Sequence, residues 1–123
     1  MIGGLGIVAT EGDSMPWLVR EGVVLASLEV ATDRATRRRG LLGRDGMSGA
    51  LLIRPARAVH TLGMRFDLDI AYLDGDDRVL ECVTMRRNRL GVPRWKAKAV
   101  IEAEAGAFER WELRPGDEIE VKS

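Results

Sequence analysis

The chain has 123 residues, 46% apolar and 31% charged, with one cysteine, one histidine and a net charge of zero. That length suits one domain with one core, and the composition is that of a globular chain, not a disordered one. Lone Cys82 excludes an internal disulfide framework and a cysteine-based zinc site.

The charge is unevenly laid out: residues 1–33 carry −4, residues 34–98 carry +8 and residues 99–123 carry −4. A basic middle between acidic ends means either a basic face or pairing within the fold. Because surfaces normally mix signs, pairing is the expectation. The apolar, glycine-rich start has no basic n-region, and residues 1–15 are expected to be a flexible arm ahead of a single domain over 16–123. No stretch reaches the roughly 18 apolar residues that cross a bilayer. The chain therefore reads as cytoplasmic and without membrane contact.

In chain order, Trp17–Arg20 and Val23–Val30 read as strands around Glu21-Gly22, the second with period-2 alternation. Thr32-Asp33 offers an N-cap to a short helix over Arg34–Leu42 that ends near Gly43. Ala50–Ile53 is a short strand stopped by Arg54-Pro55. Leu68–Leu73 and Val79–Met85 form a hairpin through the turn residues Asp74-Gly75-Asp76-Asp77. The second of these strands holds Cys82 in an apolar run, where a small buried hydrophobe is the default. Arg86–Lys96 is a loop, Val100–Ala105 a strand, Ala107–Leu113 one or two helical turns and Glu118–Lys122 a closing strand. Short strands, close turns and little helix argue for a mostly β, antiparallel β-sandwich with two short helices.

Three stretches carry a resemblance. They are Ala31-Thr32-Asp33-Arg34 through Arg39-Gly40-Leu41-Leu42-Gly43-Arg44; His60 through Met64-Arg65-Phe66-Asp67-Leu68-Asp69-Ile70 to Asp74; and Val100-Ile101-Glu102 to Gly106 with Leu113-Arg114-Pro115-Gly116-Asp117. In this order, over roughly residues 23–122, the chain resembles the family catalogued as domain of unknown function 192. The resemblance implies a compact sandwich of jelly-roll type with small helical inserts. It implies no activity.

Candidate chemistry rests on few residues. As the only histidine, His60 excludes histidine-rich metal sites, but it could act as a general base beside Asp67 or Asp69. The plainer alternative is a histidine hydrogen-bonded at a strand end. Asp67 and Asp69, like Glu102 and Glu104, lie two apart and would share a strand face, so convergence of both pairs would make a hard-cation site. The constellation favoured is Arg44, Arg65, Asp69 and Glu102, with His60 nearby: two arginines can grip a carboxylate or phosphate. Its competitor is a structural ion-pair network. Asp74–Asp77 lacks the ligand order of a calcium loop and is a hairpin turn.

Residues 86–98 contain Arg86, Arg87, Arg89, Arg94, Lys96 and Lys98, no acid, and Trp95 among them. Cations interleaved with an aromatic suit single-stranded nucleic acid. The alternative is a solvated loop whose Trp95 packs back on the core, and the neutral net charge favours that alternative. No nucleophile elbow, phosphate loop, dinucleotide fingerprint or zinc motif is present. The sequence thus points to a non-catalytic ligand-binding or interaction module, needing no cofactor, with a polar cleft for a small anionic ligand or a protein partner. The alternatives are a small hydrolase using His60 and Asp69, with or without a divalent ion, and nucleic-acid binding by the 86–98 loop.

Overall fold

The computed structural model describes residues 16–31 and 45–123. The arm expected over 1–15 and the helix expected over 34–42 lie outside the described residues. The strands are β1 (Trp17–Arg20), β2 (Val23–Ala31), β3 (Ala50–Ile53), β4 (Leu68–Leu73), β5 (Val79–Met85), β6 (Ala99–Glu104) and β7 (Glu120–Lys122), and the helix α1 is Ala107–Trp111. No helix among the described residues is long and apolar enough to cross a membrane.

The expected strand content is present, but the described strands are not arranged as an antiparallel jelly-roll sandwich. The described strands form one seven-stranded sheet in the order β5-β4-β6-β3-β2-β1-β7, accompanied by one short helix. The sheet is mixed, because β2 and β3 run parallel, Leu28 opposite Ala50 and Ala31 opposite Ile53. β3, β4 and β6 are buried almost throughout. A strand buried on both faces needs cover on both, and a second sheet is only one way to supply it.

Here one face, with Leu52, Ala71, Leu73 and Ile101, is covered by α1 and by Leu113 and Ile119. The other, with Leu51, Ile70, Tyr72 and Val100, is covered by Ala56, Val59, Met64, Phe66 and Ala97 from two long loops. The sheet's far edges meet at one corner. Val79 N–H donates to Asp117 O at 2.8 Å, Gly116 N–H to Val79 O at 2.8 Å and Ile119 N–H to Asp77 O at 3.0 Å. The start of one edge strand is thereby paired, which shields it from other chains.

The β4–β5 hairpin forms as the turn chemistry dictates. Asp74 Oδ1 accepts the N–H groups of Asp76 at 2.8 Å and Arg78 at 3.0 Å. These two donors hold the Asp74 carboxyl below the usual carboxylate range. β2 departs from simple alternation: Val24 and Val30 are exposed, whereas Leu28 and Ala31 are buried. A register shift in β1–β2 between Leu18 and Val19 and a change of partner from β1 to β3 account for it.

Candidate functional site

Asp69 and Glu102 belong to opposite faces of the sheet. Asp69 is opposite Ala103 and Glu102 is opposite Ile70, so adjacent positions send the two carboxylates apart. Asp69 is buried and is the polar anchor of α1. Its Oδ2 accepts Gly106 N–H at 2.9 Å and Phe108 N–H at 3.1 Å, and its Oδ1 accepts the Thr84 hydroxyl at 2.8 Å. The N-cap residue is Gly106, at φ 100°, which has no side chain to cap with. An aspartate from a neighbouring strand supplies the missing oxygen. Glu102 is fully buried on the Tyr72 face, opposite Leu51 and Ile70. Among the described residues the Tyr72 hydroxyl has no hydrogen-bond partner, and burial, first of all, raises the phenol's pKa.

Arg65 is a surface residue whose guanidinium lies 3.4 Å from the exposed Asp45 carboxylate. His60 sits in the loop that covers the Tyr72 face, on an isolated bridge to Leu90. Arg44 lies outside the described residues. One oxygen of Asp67 is met from residue 87: its Oδ1 accepts the Arg87 N–H at 2.9 Å, with the Arg87 guanidinium at 3.9 Å from the same oxygen. Asp69 is therefore committed to α1 on one face, while His60 and Glu102 belong to the other. Among the described residues no group of three or more His, Cys, Asp or Glu side chains could hold a metal ion. A shallow hollow of about 300 Å³ beside α1 is lined by Asp69, Cys82, Thr84 and Glu109. Its aspartate is already taken by three donors, and burial pushes the Cys82 thiol up to about 11.

The surface with uncommitted polar groups lies elsewhere. Residues 54–65 and 86–98 together carry nine Arg and Lys and no Asp or Glu. The fold laces these two segments side by side. Ala56 N–H donates to Lys98 O, Arg94 N–H to Arg57 O, Gly91 N–H to Val59 O, Thr61 N–H to Arg89 O and Asn88 N–H to Thr61 O, at 2.8 to 3.2 Å. Buried Thr61 adds a hydroxyl that donates to Arg86 O at 2.6 Å and accepts Arg89 N–H at 2.9 Å. Gly91 fits because a Cβ there would run into the Val59 carbonyl.

Four of the nine cations are in ion pairs with described residues. Arg94 grips Glu81 through two bonds at 2.9 and 3.0 Å and lies 4.7 Å above the Tyr72 ring, and Arg54 pairs with Asp77, Arg65 with Asp45 and Arg87 with Asp67. Arg57, Arg86, Arg89, Lys96 and Lys98 form no ion pair with a described residue. Trp95 does not pack back on the core: it is 73% exposed, with Leu90 at 74% and Val92 at 70%. Between the segments lies a hollow of about 390 Å³, lined by Pro55, Ala56, Arg57, Ala97 and Lys98. The basic run in 86–98 was legible in the sequence. Its partner segment was not singled out, although the absence of acids from 54–65 was the available signal.

Comparison with known proteins agrees with the arrangement of motifs. The family model DUF192, described as "Uncharacterized ACR", matches residues 18–121. A UPF0127 protein of Pyrococcus abyssi is 28% identical over 121 residues, covering 94% of this chain and 97% of that protein. One of Thermococcus gammatolerans is 31% identical over 98 residues, covering 75% of this chain and 64% of that protein. A solved structure of a protein of unknown function from Novosphingobium aromaticivorans superposes with a TM-score of 0.71 at 20% identity, covering 86% of this chain and 83% of that one. A second, from Sinorhizobium meliloti, gives 0.71 at 21% identity, covering 86% and 91%. With nearly all of its sheet inside the matched span, and with UPF0127 proteins among its relatives, this chain belongs to the DUF192 family.

Proposed function

We propose that this protein is a non-catalytic binding module that engages an anionic partner through the surface laced from residues 54–65 and 86–98. The observation that carries the reading is the combination on this surface of five cations in no ion pair with a described residue and three large, exposed apolar side chains. Cations left without acids attract an anionic partner over distance, and exposed tryptophan and aliphatic groups give it area to bury. The Asp69 carboxylate, which the hydrolase alternative would use, is spent on capping α1.

The test is retention on a sulfated-polymer resin at low salt. The native protein is expected to be held despite its zero net charge and released as salt rises. The triple variant Arg57→Gln, Arg89→Gln, Lys96→Gln should pass through. A charge-matched control, Arg110→Gln, Arg114→Gln, Lys122→Gln, should be retained as the native protein is. Equal behaviour of the two triple variants would overturn the reading.

A further inference from the structure

We infer that the partner of this surface is single-stranded nucleic acid, with one nucleotide seated in the hollow between Pro55–Arg57 and Ala97–Lys98. The inference rests on the anionic-partner reading above and gives that partner a chemical class. The hollow has an apolar floor, whose open surface comes from exposed Pro55 beside buried Ala56 and Ala97, and its charged lining is the exposed pair Arg57 and Lys98. An apolar floor with a cationic lining complements a flat ring that carries an anion, the base lying on the floor and its phosphate on the cations.

Trp95 stands two residues from Ala97, so their Cα atoms are at most about 7 Å apart. Its indole is 73% exposed and offers a second base a stacking surface. The lacing runs antiparallel, pairing residue 56 with 98, 57 with 94, 59 with 91 and 61 with 89. Arg57, Lys96 and Lys98 therefore sit toward one end of the strip and Arg86 and Arg89 toward the other, a path for a backbone of several phosphates. A duplex keeps its bases stacked inside and cannot place one in the hollow or on Trp95. An anionic bilayer would meet Leu90, Val92 and Trp95 but would leave the hollow without an occupant.

The test is fluorescence anisotropy of a labelled oligonucleotide of about ten nucleotides, single-stranded and as a duplex, in a salt series. Single strand is expected to bind more tightly than duplex. Five phosphate contacts at about 0.7 each give a log–log salt slope near −3.5, roughly a hundredfold loss between 50 and 200 mM. Arg57→Gln should reduce that slope by about 0.7. Trp95→Ala should lower affinity on the order of tenfold to a hundredfold at every salt concentration without changing the slope, and Trp95→Phe should restore it. Retention on the sulfated resin without oligonucleotide binding would overturn this inference and leave the anionic-partner reading standing. Equal binding of single strand and duplex with Trp95→Ala neutral, or binding to anionic vesicles alone, would also overturn it. Binding to none of these polyanions would sink both.

Discussion

Thr61 and Arg89 are joined twice: Thr61 N–H donates to the Arg89 carbonyl at 2.9 Å, and Arg89 N–H donates to the Thr61 hydroxyl at 2.9 Å. Thr61 is wholly buried, and its hydroxyl also donates to Arg86 O. One small side chain thus fixes the loop that carries Arg86 and Arg89. Thr61→Val keeps the shape and removes both hydroxyl bonds, and it should cost about 1–3 kcal/mol in urea unfolding. It should also weaken retention on the sulfated resin although no charge has changed. Unchanged retention would show that the loop does not need this latch.

Gly91 tests the same lacing from the backbone. An added Cβ would strike the Val59 carbonyl and approach Met85 Cε to 2.8 Å, and a carbonyl held in a backbone cannot turn aside as a side chain can. Gly91→Ala should therefore destabilise by about 1–3 kcal/mol, as overpacked sites do. A thermal melt indistinguishable from the native protein would mean that the two segments separate freely.

Asp69 joins β4, β5 and the start of α1 through one carboxylate. Asp69→Ala leaves two backbone donors and a hydroxyl without their acceptor and should cost about 2–4 kcal/mol. Asp69→Asn can keep its oxygen on the two backbone N–H groups and turn its amide to the Thr84 hydroxyl, which rotates to accept, but it loses the carboxylate charge, and it should fall between. The ranking in urea midpoints is the measurement. If Asp69 were instead a surface ligand group, both variants would melt as the native protein does.

Alkaline pH should expose the burial of Cys82. Burial, with Asp117, Asp69 and Glu81 adding negative potential, pushes the thiol up to about 11. An unfolded thiol loses its proton near 8.5, so between these values the unfolded chain binds fewer protons than the folded one. The contribution to stability is fully present below about pH 8.5 and is lost as pH rises toward 11. The raised Tyr72 pKa acts in the same direction. Cys82→Ala should flatten the fall in urea midpoint between pH 8.5 and 11, and an unchanged slope would assign the fall to other groups.

The acid side depends on Glu81. Its hydrogen bonds from the Arg94 guanidinium hold its carboxyl below the ordinary range. A depressed carboxyl stabilises above its unfolded value near 4.3, and the contribution is lost as pH falls through the folded value. The pair is partly exposed, with side chains 28% and 43% accessible, so screening limits the effect to about 1 kcal/mol or less. Glu81→Gln should lower stability at pH 7 by that amount and leave it unchanged at pH 2. A larger loss at pH 2 than at pH 7 would contradict the assignment.

The sequence by itself determined the local features of this protein. The strands Leu68–Leu73 and Val79–Met85 and the aspartate-rich turn between them form where apolar runs and turn residues place them, because those preferences act over a few neighbouring residues. Family membership was legible for a related reason: three motifs in order do not require a structure to be recognised. The absence of acids from 86–98 could also be read directly. Only the tertiary structure decided the rest. Continuous apolar strands report burial on two faces but not what covers them, so one sheet under loops and a helix reads like a sandwich. Asp69 and Glu102 were separated by register, which side-chain identity does not encode: a shift of one position moves a residue to the other face. Trp95 could be assigned only once its surroundings were known. Hydropathy favours covering a tryptophan, but whether anything stands above it depends on where residues 54–65 come to lie against 86–98, a long-range pairing set by backbone hydrogen bonds.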